Sequence, residues 1–218
     1  MTIPERLPYA VVPRAPAAWY GAANPTTWRW HELPPLPPFI LADGSAPAIW
    51  QTTVRLCYDD AALYMHFECE DHDIWGSYTR RDDPIYDEEV VEVFFAPGTA
   101  IPKRYAELEI SPNGVLFDAL IDNPTGQRAD LRVDPSWDPL LRTSIWRDDS
   151  AQRWGALLVV PWAEIAPGVA PPPIWRANFF RIERPRNAAP EFSCWSPTLS
   201  DPADFHRPAY FGTIELGQ

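Results

Sequence analysis

The sequence predicts an all-β chain, an antiparallel β-sandwich of the jelly-roll type preceded by a Pro- and Trp-rich N-terminal arm. Short apolar runs, several with the two-residue alternation of a strand, recur along the chain, and turn-forming residues separate them. Helical periodicity is nearly absent, which favours a two-layer β architecture. The chain contains 27 prolines and only 10 glycines, and proline is excluded from helix interiors and central strands.

The first element is the arm, which we place at residues 1–38. It is rich in proline, alanine and tryptophan and ends in the run Leu33-Pro34-Pro35-Leu36-Pro37-Pro38, which is typical of extended polyproline structure. We expect Trp19, Trp28 and Trp30 to hold the arm against the rest of the chain. Residues 39–218 then form one β-sandwich domain, a size that such domains commonly reach.

The strands follow in hairpins. Asp59 and Asp60 predict a turn because aspartate side chains hydrogen-bond to their own backbone, and Asn113-Gly114 predicts another because both residues tolerate positive φ. The predicted strands are 51–58, 63–70, 89–96, 104–111, 115–121, 153–160, 176–183, 192–195 and 212–216. One helical turn is expected at 161–165, where a proline begins the segment.

Glu92 lies at the centre of the strand 89–96. Side chains alternate faces along a strand, which puts Glu92 on the face opposite Val91 and Val93. Neither face is plainly polar, so we expect both to be covered. A buried carboxylate costs several kcal/mol unless it is paired or hydrogen-bonded. Glu92 therefore either braces the fold or meets a polar ligand.

Charge and cysteine content exclude several classes of function. The formal net charge is −12, which argues against nucleic acid and anionic membranes as partners because phosphate binding needs clustered cations. The three cysteines, Cys57, Cys69 and Cys194, are odd in number and widely spaced, so neither a disulfide framework nor a zinc site is indicated. The N-terminus lacks a basic segment followed by an apolar run, which predicts no secretory signal or membrane span and, by default, a cytoplasmic protein.

Six segments in order resemble the family 9 carbohydrate-binding modules. Tyr58–Tyr64 is similar to their tyrosine-acid-acid-x-x-leucine-tyrosine hairpin, and Glu70–Asp73 is similar to the acidic loop that follows it. The others are Glu89–Phe94, Asn178-Phe179 with Trp195-Ser196-Pro197, and Phe211–Ile214. The resemblance covers residues 39 to 216 and extends to the wider DOMON-like group, whose members bind sugar or haem.

The resemblance implies a non-catalytic module that binds a mono- or oligosaccharide and serves carbohydrate catabolism. In the family, two tryptophans sandwich a sugar ring. By order and spacing, Tyr86 and Phe205 take their places, and Glu92 matches a glutamate that contacts the sugar. Glu109 stands where the family has a clamping arginine, and we expect Trp75, Asn178 and Arg181 to complete the ligand site. Aromatic faces stack on the C–H face of a pyranose while polar groups bind its hydroxyls.

Three alternatives remain open at this point. No cofactor is required, but the family carries structural calcium, for which Asp71 and Asp73 are the candidate ligands. Haem-binding relatives use axial Met or His ligands, and Met65 and His66 are adjacent on one strand and point to opposite faces. A glycan hydrolase would need two carboxylates across a cleft, and Glu107 and Glu109 share one strand face near Glu92.

Overall fold

A computed structural model describes residues 6–19 and 24–217. It confirms the β-sandwich: two sheets pack face to face, and the described residues form thirteen strands. Residues 1–5, which carry part of the prediction that no secretory signal is present, lie outside the described residues. Residues 20–23 of the arm lie outside them as well. Among the described residues, no helix is long and apolar enough to cross a membrane.

The elements are short and are joined by loops. The strands are β1 Tyr9–Val12, β2 Ile40–Leu41, β3 Thr52–Tyr58, β4 Ala62–Glu70, β5 Val90–Pro97, β6 Arg104–Ile110, β7 Leu116–Asp122, β8 Arg132–Asp134, β9 Arg142–Asp148, β10 Arg153–Pro161, β11 Ile174–Glu183, β12 Glu191–Cys194 and β13 Gly212–Leu216. The helix α1, Trp162–Ile165, is a single turn that begins directly after Pro161, as predicted.

The larger sheet has the order β1-β13-β11-β5-β6-β7-β8, with β12 pairing both β11 and β2. The smaller sheet has the order β3-β4-β10-β9. The pairs within named strands are antiparallel except β1 with β13, which is parallel. The sheets therefore place β5 and β6 side by side near the middle of the larger sheet.

Both faces of the larger sheet are covered. Val91, Val93 and Phe95 of β5 belong to the core between the two sheets. Val90 and Phe94 belong to a second apolar cluster on the outer face, and every β5 residue except Pro97 is buried. The alternation predicted for this strand is therefore confirmed. Loops before β5 and before β13 supply the cover over the outer face, because Ile85, Phe205 and Phe211 lie in that second cluster.

Both predicted hairpin turns are present. Asp59 Oδ1 accepts hydrogen bonds from the backbone N–H groups of Ala61 at 2.8 Å and Ala62 at 2.9 Å, which closes the turn between β3 and β4. Gly114, between β6 and β7, has a φ of 79°, a conformation that glycine adopts without strain. These turns set the registers on which the positions of the polar side chains depend.

The described part of the arm covers the outer face of the smaller sheet. Trp19, Trp28 and Trp30 are buried against one another and against Tyr64 and Leu157 of that sheet. The ring centroids of Trp28 and Tyr64 are 4.7 Å apart. Burying large aromatic side chains supplies most of the free energy that holds such a segment in place. The arm thus occupies the outer face of the smaller sheet. The cavity described below lies on the outer face of the larger sheet.

Candidate functional site

The candidate site is a cavity of about 270 Å³ on the outer face of the larger sheet. Its floor is formed by β5, β6 and β7, and loops form its rim. Small-molecule sites in proteins are commonly about 300–1,000 Å³, so this cavity is of the size that suits one small ring. The aromatic residues that line the cavity are Tyr86, Phe94, Phe117, Phe192 and Phe205. Its acidic and basic lining residues are Glu92, Glu107, Glu109, Arg128 and His206.

Three carboxylates, which we call the outer carboxylate cluster, meet on the floor: Glu92, Glu107 and Glu109. Glu92 of β5 is paired directly with Glu109 of β6, and Glu107 lies two residues before Glu109 on the same face. One oxygen from each lies within 4.8 Å of the other two. All three side chains are at most 4% exposed. The register of two neighbouring strands thus concentrates acidic groups in one place.

Burial raises the pKa of each member of this cluster. It raises the pKa of Glu107 to about 7, against the opposing effects of a hydrogen bond from Glu109 and of Arg128. Burial, reinforced by the neighbouring carboxylates, raises the pKa values of Glu92 and Glu109 well above the ordinary value of a glutamate. Three like charges this close cannot all be ionised in a desolvated site. At neutral pH the cluster therefore holds protons.

The nearby basic groups do not neutralise the cluster. His206 Nε2 lies 4.0 Å from Glu107 Oε1, but burial lowers the pKa of His206 to about 4, so the ring is neutral at pH 7. Its Nδ1 lies 3.0 Å from the Tyr105 hydroxyl. Arg128 is at the rim, where its side chain is 66% exposed and lies 3.3 Å from Asp204. Among the residues that the structure describes, no buried cation balances the acidic floor.

The two predicted aromatic residues both line the cavity. Tyr86 lies in a one-turn 3-10 helix, Ile85–Asp87, anchored by the fully buried Ile85. It is 41% exposed, and its ring meets the edge of Phe117 at a centroid distance of 5.4 Å. Phe205 is only 8% exposed and stacks on Phe180 at 4.3 Å. Tyr86 therefore offers an accessible face, whereas one face of Phe205 is already covered by protein.

Tryptophan, the aromatic residue used by the family, is absent from the lining. All eleven tryptophans lie within the described ranges, and none of them lines this cavity. Trp75, predicted as a ligand contact, instead donates its indole N–H to the carbonyl of Arg184 at 2.7 Å. That expectation is corrected: Trp75 lies outside the cavity, where it ties the loop before β5 to the end of β11.

Asn178 also lies outside the cavity. The edge of β11 pairs with β13 over residues 174–177 and with β12 over residues 180–183, so Asn178 lies where the partner changes. Its side chain is fully buried, donates to the Ser196 carbonyl at 2.7 Å and accepts from the Ser196 N–H at 2.9 Å. The amide replaces backbone hydrogen bonds that no strand supplies there. Its role is structural.

Arg181 lies on the other face of the sheet from the cavity. It is paired with Val91, not with Glu92, so its side chain enters the core between the sheets. There the guanidinium is fully buried and lies over the Trp154 ring at 4.9 Å. It contacts three acids that we call the inner carboxylate cluster, namely Asp71, Glu89 and Glu183. The expectation that Arg181 meets the ligand is corrected by this register.

The residues expected to bind calcium have other partners. Asp71 accepts hydrogen bonds from Arg181 Nη2 at 2.8 Å, from the Trp154 indole at 3.0 Å and from the Asp73 N–H at 2.8 Å. Both oxygens of Asp73 accept from Arg186, whose backbone N–H also donates at 2.8 Å. The oxygens of the inner cluster do lie within 4.8 Å of one another, but a guanidinium already supplies the positive charge. Calcium does not fit Asp71 and Asp73 as they are paired.

Sequence reasoning did not assign a ligand role to several residues that line the cavity. Phe117 is paired with Glu109 across the β6–β7 hairpin, and the Asn113-Gly114 turn carried the signal that would have placed it there. Glu107 shares the face of Glu109 through the two-residue period of β6. Arg128 lies in the short 3-10 helix Arg128–Asp130, Phe192 lies in β12 and His206 lies in a loop, and no local pattern connects them to β5.

The alternatives gain no geometric support. Met65 is fully buried in the core between the sheets, and His66 stacks on Trp30 beneath the arm at 4.9 Å. Neither faces the cavity. The three outer carboxylates lie together on the floor of the cavity, whereas the two catalytic carboxyl groups of a glycosidase flank the glycosidic bond from two sides.

Comparisons with known proteins agree with this architecture. The sequence model of carbohydrate-binding family 9 matches residues 44–216. An "Extracellular protein" of Arthroderma benhamiae is 30% identical over 174 residues, which are 75% of this chain and 78% of that protein.

Solved structures share the fold at low identity. A proposed carbohydrate-binding protein from Bacteroides uniformis superposes with a TM-score of 0.74 and 17% identity, covering 96% of this chain and 99% of its own. A family 9 module from Caldicellulosiruptor kristjanssonii, solved with cellotriose, gives a TM-score of 0.58 at 16% identity. The match covers 96% of this chain and 93% of that module. A family 9 module from the same organism, solved with glucose, gives a TM-score of 0.60 at 14% identity, and the match covers 96% of each chain.

Proposed function

The chain belongs to carbohydrate-binding family 9, and on that premise we propose that its outer cavity is a sugar site that holds its ligand without transforming it. The observation that carries this proposal is the cavity itself. It combines an accessible aromatic ring, Tyr86, with buried carboxylates on the floor. This is the combination of apolar surface and few polar groups that small polar ligands require.

The polar contacts would come from oxygens that have no partner. Glu92 Oε1 and Glu109 Oε2 are buried without a hydrogen-bond donor among the described residues. Leaving a buried acceptor unsatisfied costs about 1–3 kcal/mol, and a sugar hydroxyl that donates to it recovers this cost. Tyr86 and Phe205 would contact the C–H face of the ring at the mouth and at the wall of the cavity.

The family neighbours support the ligand class. The Caldicellulosiruptor kristjanssonii modules are in complex with cellotriose and with glucose. A cavity of about 270 Å³ favours one sugar ring inside, with any further units extending past Arg128 and Tyr86 at the rim. We therefore propose a terminal sugar residue as the part that is held.

Calorimetry on the full chain tests the proposal. Glucose and cellotriose are titrated into wild type, Tyr86→Ala and Tyr9→Ala. Tyr9 is a matched control, since it is an exposed tyrosine on β1 that does not line the cavity. Loss of a stacked ring is expected to weaken binding about tenfold in Tyr86→Ala, with no change in Tyr9→Ala.

A second variant tests the polar contacts on the cavity floor, and an activity assay tests whether the protein is a catalyst. Glu92→Gln keeps the shape of the side chain and is expected to lower sugar affinity, because the amide NH₂ group cannot accept a hydrogen bond from a sugar hydroxyl. Equal affinities for all variants would show that the cavity is not the site. Turnover of aryl-glycosides by wild type that Glu92→Gln abolishes would replace the binding proposal with a hydrolase.

A further inference from the structure

The outer carboxylate cluster has more acceptor oxygens than the protons it retains can satisfy. Glu92 and Glu109 are 3% and 1% exposed, and each has an oxygen that is buried without a partner while lining the cavity. Glu107 completes the group within 4.8 Å. A neutral sugar satisfies such a site only in part, because each hydroxyl that donates one hydrogen also brings lone pairs that need donors.

The charge of the surroundings is one-sided. His206 is neutral at pH 7 because burial lowers its pKa to about 4, and Arg128 is at the solvent-exposed rim beside Asp204. Tyr86 and Asp87 are the other titratable groups whose charges act on Glu109 or respond to it. None of these places a positive charge on the floor. A ligand with a positive charge would therefore bind beside acidic groups that have no cation next to them.

We propose that the group entering the outer carboxylate cluster is the protonated amine of an amino sugar, the class represented by 2-amino-2-deoxyglucose. This inference rests on the proposed function of the cavity and names its ligand class. The amine's three N–H bonds match three carboxylates in number. Charge-assisted hydrogen bonds of this kind are about twice as strong as neutral ones. The sugar ring then lies along the aromatic walls.

A divalent cation suits the cavity less well. Calcium takes six to eight oxygen ligands, and the residues beside the three carboxylates are largely apolar, with Phe94, Phe117 and Ile182 among them. The cavity also has far more room than an ion needs. An aromatic wall next to an anionic floor favours a ligand that is apolar on one side and cationic on the other.

The proton content of the cluster supports the same ligand. Burial and mutual repulsion raise the pKa values of the three glutamates, so protons supply the positive charge when no ligand does. An ammonium group replaces them. Because the cluster is stabilised by positive charge, it should bind an amino sugar more tightly than the corresponding sugar with a neutral hydroxyl group.

The test compares three sugars that differ at one position. Wild type is titrated in the calorimeter with 2-amino-2-deoxyglucose, glucose and N-acetylglucosamine at pH 7, each at constant ionic strength, with ammonium chloride as a fourth titrant. The amino sugar is expected to bind at least about tenfold more tightly than glucose. The N-acetyl sugar is expected to lose this advantage because its amide is uncharged. Glu109→Gln should reduce the ratio, and Glu32→Gln on the exposed arm should leave it unchanged.

The outcomes separate this inference from the proposed function. Glucose binding as tight as the amino sugar, and weakened by Tyr86→Ala, overturns the inference while the sugar site stands. Binding of no sugar at all overturns both. Ammonium chloride that competes at the same concentration overturns the inference in favour of nonspecific attraction by an acidic chain. Calcium chloride is titrated into the same two proteins, and calcium binding to wild type and not to Glu109→Gln overturns the inference and assigns the cluster to a divalent cation.

Discussion

Two clusters of three buried carboxylates lie on opposite faces of one sheet, and they differ in what balances them. The inner carboxylate cluster surrounds Arg181, which is fully buried and holds Asp71 at 2.8 Å. The outer carboxylate cluster has no such group among the described residues that line it, and it faces a cavity. The inner cluster has a buried guanidinium among its carboxylates, whereas the outer one would receive its counter-charge from the ligand proposed above. The two clusters therefore differ in where the counter-charge of a buried acid comes from.

The difference has an energetic side. Removing one partner from a buried ion pair leaves an uncompensated charge and typically costs about 3–5 kcal/mol. Removing one of several uncompensated charges relieves repulsion and desolvation instead. Substitution of Arg181 or of its partner Asp71 should thus destabilise the protein, whereas substitution of Glu109 should not, although all three side chains are buried.

The largest effect is expected for Arg181→Gln. It leaves Asp71 and Glu183 without their guanidinium, so the free energy of unfolding should fall by about 3–5 kcal/mol. Urea denaturation of wild type and variant measures this fall in the free energy of unfolding. The matched control is Arg186→Gln, which removes an exposed pair with Asp73 and should cost at most about 1 kcal/mol. Equal losses for the two arginines would contradict the distinction between the clusters.

The next test replaces one acid by its amide in each cluster. Asp71→Asn weakens hydrogen bonds with Arg181 and Trp154 and should destabilise the protein by about 2–3 kcal/mol. Glu109→Gln should leave stability unchanged or raise it by about 1 kcal/mol at pH 8, since burial and its neighbours raise the pKa of Glu109. Thermal and urea unfolding of both variants report the signs, and a destabilised Glu109→Gln would contradict the comparison.

Stability should also fall as pH rises from 7 to 8.5. Burial raises the pKa values of Glu92, Glu109 and Glu89, so the folded chain keeps protons that the unfolded chain loses. The slope is about 1.4 kcal/mol per pH unit for each such proton. Below pH 6.5 the buried His66 and His206 oppose this trend, because burial lowers their pKa values to about 4.

The same pH series on Glu109→Gln isolates the outer cluster. One retained proton is removed, so the decline in unfolding free energy should become shallower by up to about 1.4 kcal/mol per pH unit. An unchanged slope would mean that Glu109 is ionised in the folded protein, and the account of the outer cluster would then be wrong.

The smallest expected effect concerns calcium. Because Arg181 and Arg186 occupy the oxygens of Asp71 and Asp73, EDTA or added calcium should leave the unfolding temperature unchanged. Differential scanning calorimetry with each additive checks this. A rise with calcium that Asp73→Asn removes would restore the original expectation for these two residues.

Much of the fold was predictable because local patterns determine it. The alternation along β5 placed Glu92 opposite Val91, and Asp59 and Asn113-Gly114 placed the turns. Strand β9 was missed because it is an exposed edge strand, paired only with β10, whose polar residues give no alternation. Strand β1 was missed within the arm because its pairing with β13 joins opposite ends of the chain.

The site was predictable in part, for a related reason. Tyr86, Glu92, Glu109 and Phe205 line one cavity, and the family resemblance pointed to them by order. The face on which Arg181 lies depends on the register between β5 and β11, and these strands are far apart in sequence. A shift by one residue exchanges the faces. No local signal fixes that register, so the arginine was placed on the wrong side of the sheet.

The absence of tryptophan from the cavity lining has a practical consequence for optical measurements. Sugar binding is often followed by the change in indole emission when a ring is stacked upon. Here all eleven indoles lie outside the cavity lining, so a sugar held in the proposed site would contact none of them. A fluorescence titration excited at the indole band would stay flat even at saturation, and such a flat curve would say nothing about affinity.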